Sequence, residues 1–129
     1  MAFQILKTEP SQQVVYGWGS VSLADGDLVT DLQGDQIEPD ELERAVIEFM
    51  LDYRTSGVMH EGGAVGVVVA SLVTTPDIVR AFGLSPDLPV GWILGVKVRD
   101  PHVWASIVSG ELKAFSIQGI ADREETDGE

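Results

Sequence analysis

Leu42, Ala45, Val46, Phe49, Met50 and Tyr53 recur at i, i+3, i+4, i+7, i+8 and i+11, a single apolar stripe at helical spacing. Pro39 stands where a first helical residue is tolerated, and Asp40 and Glu41 suit the positive end of the helix dipole. Elsewhere the apolar residues follow mostly the other period. Val15, Gly17, Gly19 and Val21 alternate with Tyr16, Trp18, Ser20 and Ser22, which predicts a first strand over Val14–Leu23. Its small residues would let another backbone or side chain come close. Ala64 to Thr74 is a β-branched run that reads as a strand buried on both faces. Trp92–Val98 and Ala114–Ala121 read as two more strands, and Val58–His60 as a short one broken by Glu61-Gly62-Gly63. One amphipathic helix among strands must lay its stripe against a sheet, so the expected class is α+β.

Two shorter helices complete the pattern. Thr75-Pro76 opens a helical turn that Gly83 ends, and Pro86 and Pro89 hold the loop after it. Asp100 and Pro101 read as N-cap and first residue of a helix carrying Val103, Trp104, Ile107 and Val108, closed by Gly110. Asp25-Gly26-Asp27 marks a turn. No repeat or linker divides the chain, so residues 1–121 read as one domain. From Asp122 to Glu129 there are five acids, one arginine and almost nothing apolar, an acidic tail expected to stay disordered.

At 129 residues the chain can bury a core without staples, and with no cysteine it has neither disulfides nor a thiolate metal site. No apolar run approaches the roughly 20 residues of a membrane-spanning helix. Met1-Ala2-Phe3-Gln4 lacks the basic flank of a signal peptide, so a cytoplasmic protein is expected. The net charge of −13, from 21 acids and 8 bases, argues against nucleic acid as a partner, because phosphate binding needs clustered Lys and Arg. Acidity of this kind most simply keeps a surface solvated; its sharper reading is attraction to a basic partner. Eight acids and no base lie between Asp25 and Glu43, but their spacing does not match a calcium loop. His60-Glu61 does not form the H-E-x-x-H zinc motif, and no Gly-rich phosphate loop opens a helix, so no cofactor and no metal are expected.

The chemistry-bearing residues sit in two strand-like segments, Val58-Met59-His60-Glu61 and Ala114-Phe115-Ser116-Ile117-Gln118-Gly119. A serine becomes a nucleophile only when a base takes its proton, and neutral histidine is the usual base near pH 7. His60 is one of only two histidines, and only the fold could bring it to Ser116. Taken alone, a histidine ending an apolar strand is more often structural than catalytic.

The words around them carry more. Val15-Tyr16-Gly17-Trp18-Gly19, Asp31-Leu32-Gln33-Gly34-Asp35 before an acidic-start helix, Met59-His60, Gly95-Val96-Lys97-Val98, Val103-Trp104 and Ser109 to Gly119 occur in order over about Val14 to Ala121. Together they resemble the XkdF-like family of phage serine proteases, relatives of the prohead (capsid maturation) proteases. The resemblance implies Ser116 as nucleophile and His60 as general base. It implies a compact, barrel-like sheet with two or three flanking helices, as in herpesvirus assemblins. It further implies a phage scaffold or capsid protein as substrate, action inside the assembling procapsid, and a homodimer.

A third catalytic residue would orient the imidazole. Relatives of this type take it from a strand after the serine, yet only 13 residues follow Ser116. Asp122 and Glu124 lie there, in the acidic tail; Glu61 adjoins His60 but a strand would point it away. Asp100 already has a reading as N-cap, and His102 falls at an exposed helix start. A dyad, a segment of a longer protease, and a site completed on assembly all satisfy the sequence. So does a second class: a non-catalytic capsid-assembly or peptide-binding domain of the same fold, capturing an extended segment at a strand edge. Trp18, Trp92 or Trp104, if exposed, would anchor such a contact; buried, they belong to the core.

Overall fold

The computed structural model describes residues 2–30, 36–60 and 63–117. Eight strands and three helices follow in the order β1 (Ala2–Glu9), β2 (Val14–Ala24), β3 (Asp27–Leu28), α1 (Pro39–Asp52), β4 (Val58–His60), β5 (Gly63–Ala64), β6 (Gly66–Val73), α2 (Pro76–Ala81), β7 (Val90–Val98), α3 (Pro101–Ser109) and β8 (Ala114–Ile117). The strands form one sheet in the order β5-β4-β8-β1-β2-β7-β6, with β3 paired to β2. Every ladder is antiparallel. The fold is α+β, dominated by this sheet.

The helical stripe is buried as far as Phe49; Met50 is half-buried, and Tyr53, the C-cap beyond the helix, is exposed. Leu42, Ala45, Val46 and Phe49 of α1 are buried, and the helix lies against β2, β6 and β7. The Phe49 ring meets Trp92 edge-on at 5.2 Å, and Trp92, fully buried, donates its indole N–H to the Ser71 hydroxyl at 2.9 Å. Trp92 is therefore core rather than an exposed anchor, and Trp18 and Trp104 are half-buried. Phe3 stacks on Phe115 at 5.7 Å, so β1 and β8 share the same core.

β1 has no counterpart among the expected strands, because Lys7, Thr8 and Glu9 mask the alternation begun by Phe3 and Ile5. It joins β2 through a turn in which the Glu9 carboxylate accepts from the Ser11 hydroxyl at 2.6 Å and the Gln12 amide at 2.8 Å. A Cβ on Gly17 would stand 1.8 Å from the Gln4 carbonyl oxygen, so only glycine admits the close approach of β1 to β2 there. In β2 itself the expected alternation breaks down. The β2–β7 register shifts between Trp18 and Ser20 and again between Val21 and Leu23, and Ser22, not Val21, is the buried residue. Its hydroxyl is satisfied by donating to the Ile37 carbonyl at 2.7 Å.

Two further expectations are corrected. The run Ala64–Thr74 is not one strand buried on both faces: it divides into β5 and β6, and β6 is the sheet's edge, with Val69 54% exposed. The strand covered on both sides is β7, between β2 and β6, where Gly91, Trp92, Leu94, Gly95, Val96 and Val98 are buried. The sheet is also not a closed barrel. Among the described residues no ladder joins β6 to β4 or β5. Instead the α1–β4 connection stands at that gap: the Val68 amide donates to the Arg54 carbonyl, and the Arg54 guanidinium donates to the Val68 carbonyl, each at 3.2 Å. With β4 only three residues long, one loop residue supplies what a closing strand would have supplied.

Candidate active site

Ser116 owes its position to the end of α3. Gly110 adopts a left-handed φ of 84° that stops the helix, and the Leu112 amide folds back onto the Ser106 carbonyl at 3.0 Å. The chain then enters β8, where Phe115 and Ile117 are buried and Ala114 and Ser116 exposed, the alternation of a strand with one wet face. β8 is held on both sides. On β1, Ala2, Phe3 and Gln4 pair with Ser116, Phe115 and Ala114; on β4, Val58 and Met59 pair with Ile117 and Ser116.

His60 ends the neighbouring strand. Gly57, buried under Phe49, leads into Val58, which is fully buried, then Met59, half-buried, then His60, exposed and paired with Gly63 of β5. The fold thus brings the two chemistry-bearing residues to adjacent strands, one position out of step. The offset has a consequence for their side chains. Residues directly opposite in an antiparallel ladder share a face, so Ser116 shares the outer face with Met59. His60 alternates with Met59 and is in phase with Val58, Phe115 and Ile117, on the other face. Sliding β8 by one residue would bring serine and histidine into phase. It would also turn Phe115 and Ile117 to solvent, at about 1.5–3 kcal/mol for each side chain.

The remaining candidates fall in two groups. Asp100 is the N-cap of α3: its carboxylate accepts from the His102 amide at 2.8 Å and the Val103 amide at 3.3 Å. His102 is exposed in the first turn of that helix. Glu61, Asp122 and Glu124, with Gln118 and Gly119, lie outside the described residues, as do Asp31 and Asp35 of the acidic stretch and the whole tail from 122 to 129. Among the described residues no three His, Asp or Glu side chains cluster as metal ligands would, and no helix is long and apolar enough to cross a membrane. The strand reading also missed Gln4, exposed on β1 in register with Ala114. The Phe3–Ile5 alternation around it was the available signal.

The candidate site is thus an exposed serine on a doubly paired strand, beside a strand ending in histidine, on an antiparallel α+β scaffold. Over residues 2–125 the chain matches the family model described as "Putative phage serine protease XkdF", and it belongs to that family. It is 33% identical over 96 residues to the phage-like element PBSX protein XkdF of Bacillus subtilis (strain 168), covering 73% of this chain and 34% of that protein. It is 31% identical over 121 residues to the uncharacterized protein YqbD of the same strain, covering 92% of this chain and 34% of that one. The chain therefore spans about a third (34%) of the length of these relatives. No solved structure matches it.

Proposed function

We propose that this chain is the nucleophile-bearing part of a serine endopeptidase of the phage prohead type, acting on scaffold or capsid polypeptides. The observation that carries the reading is Ser116: an exposed hydroxyl whose backbone is clamped by ladders on both sides, in a family of phage serine proteases. A rigid strand presents a nucleophile with little positional freedom, which is what attack on a carbonyl needs. In the reaction His60 takes the Ser116 proton as the Oγ–carbon bond forms. The tetrahedral intermediate then expels the amine, which receives that proton, and water releases the acyl group by the same steps.

His60 must share a face with Ser116 to act as this base. Since the buried pairs lock β8 in register, the movement falls to the end of β4, whose last residue must turn outward. We place that turn in the complete protein, of which this chain covers about a third of the length in its relatives. The same reading puts the protein in the host cytoplasm, inside the assembling procapsid, and makes a homodimer the expected state.

The test is fluorophosphonate labelling together with cleavage of a cognate scaffold polypeptide by the full-length protein. Ser116→Ala should abolish both with an unchanged melting temperature, because its side chain is exposed. His60→Ala should slow both by on the order of 10²–10⁴-fold, the usual contribution of a positioned base. Cleavage that survives Ser116→Ala overturns the assignment. The emergence of Ser116 and His60 on opposite faces favours a second reading, a non-catalytic assembly or peptide-binding domain. Its signature would be saturable binding of a basic peptide with no turnover, the charge of −13 selecting the partner.

A further inference from the structure

Among the described residues, the outer face around Ser116 offers little to a developing negative charge. Met59 lies directly across on β4, and Ala114 lies two residues back along β8; neither side chain is a hydrogen-bond donor. On the β1 side Gln4 pairs with Ala114, which makes it the diagonal neighbour of Ser116 on the same face. Diagonal neighbours stand roughly 7–8 Å apart, within reach of a long side chain. The Gln4 side chain is exposed and makes no hydrogen bond of its own among the described residues. Its backbone is fixed from two sides, by the ladder to β8 and by the close approach at Gly17.

We infer that the Gln4 carboxamide is the side-chain donor for the oxyanion formed when Ser116 attacks its substrate, which rests on Ser116 being the nucleophile. As the Oγ–carbon bond forms, the carbonyl π pair moves onto oxygen and the serine proton leaves to the base. The Gln4 N–H donates to that oxygen and transfers no proton. On collapse the oxygen pair re-forms the carbonyl, the carbon–nitrogen bond breaks and the Gln4 hydrogen bond weakens. Such a donor acts on the transition state and leaves ground-state binding unchanged.

An alkyl fluorophosphonate tests this directly, because its phosphoryl oxygen takes the place of the oxyanion while Oγ bonds phosphorus and fluoride departs. In the full-length protein, Gln4→Leu should slow labelling of Ser116 and lower kcat for a peptide substrate by about 10²–10³-fold, with KM unchanged. Gln4→Glu, which puts a carboxylate beside the oxyanion, should be slower still. Equal melting temperatures exclude misfolding, and a shared loss of melting temperature is resolved by Gln4→Asn, which keeps the amide but shortens its reach. Labelling and turnover within threefold of the parent in Gln4→Leu overturn the role of Gln4 and leave Ser116 standing. A rise in KM alone overturns it in favour of substrate binding. Absence of Ser116 labelling in the parent protein overturns the nucleophile reading and this inference with it.

Discussion

At the scale of single residues, position in a ladder matters more than residue type. Ser116 and Ala114 are exposed for the same reason that Phe115 and Ile117 are buried, and His60 is separated from Ser116 by a single step of the pleat. Glu9 shows how a charged residue can serve structure alone. Hydrogen bonds from the Ser11 hydroxyl, then the Gln12 amide, hold its carboxyl below the ordinary carboxylate value. A folded-state pKa below the unfolded one contributes stability that is present above the unfolded value and lost as pH falls through the folded value. Glu9→Gln should therefore melt below the parent at pH 7, and the gap should close as the pH falls through and below the carboxylate range. Thermal melts of the pair at several pH values check this; a gap independent of pH would mean the turn does not depend on the charge.

Among the elements, those that carry their own end signals formed as their sequence demands. α1 begins at Pro39 with Asp40 and Glu41 in its first turn, and α2 is capped by the Thr75 hydroxyl, which accepts from the Ile78 amide. α3 has both ends specified, by Asp100 at one and by left-handed Gly110 at the other. Because the Asp100 carboxylate satisfies two amides that would otherwise lack partners, Asp100→Ala should lower stability by about 1 kcal/mol. Chemical denaturation measures it, and the same variant should cleave substrate like the parent if Asp100 has no catalytic part. β4 is the opposite case. Three residues, one partner of four residues and one of two give it few ways to resist opening.

For the whole molecule, the uneven sheet sets where motion is cheap. β7 is buried between β2 and the edge strand β6; β4 and β5 lie at the other end of the sheet, and Arg54 hydrogen-bonds across the gap to Val68 of β6. Native-state hydrogen exchange should find the slowest amides in β7 and β2 and much faster exchange at Met59, His60 and Ala64. Protection of β4 equal to that of β7 would reveal a closing ladder and would leave His60 no freedom to turn toward Ser116.

Local chemistry alone determined a good deal here. The stripe from Leu42 to Phe49 specified α1 and its buried face, the Asp100-Pro101 and Gly110 signals bounded α3, and the family words singled out Ser116 and His60. Each rests on interactions within a few residues, which a linear sequence displays. Tertiary structure alone decided the presence of β1, the phase change within β2, the edge position of β6 and the open sheet, because these depend on which strand lies beside which. It decided the face on which each candidate side chain emerges for the same reason. Register is a relation between two distant segments, set by how Val58, Phe115, Ile117 and Phe3 pack, and neither segment contains it by itself.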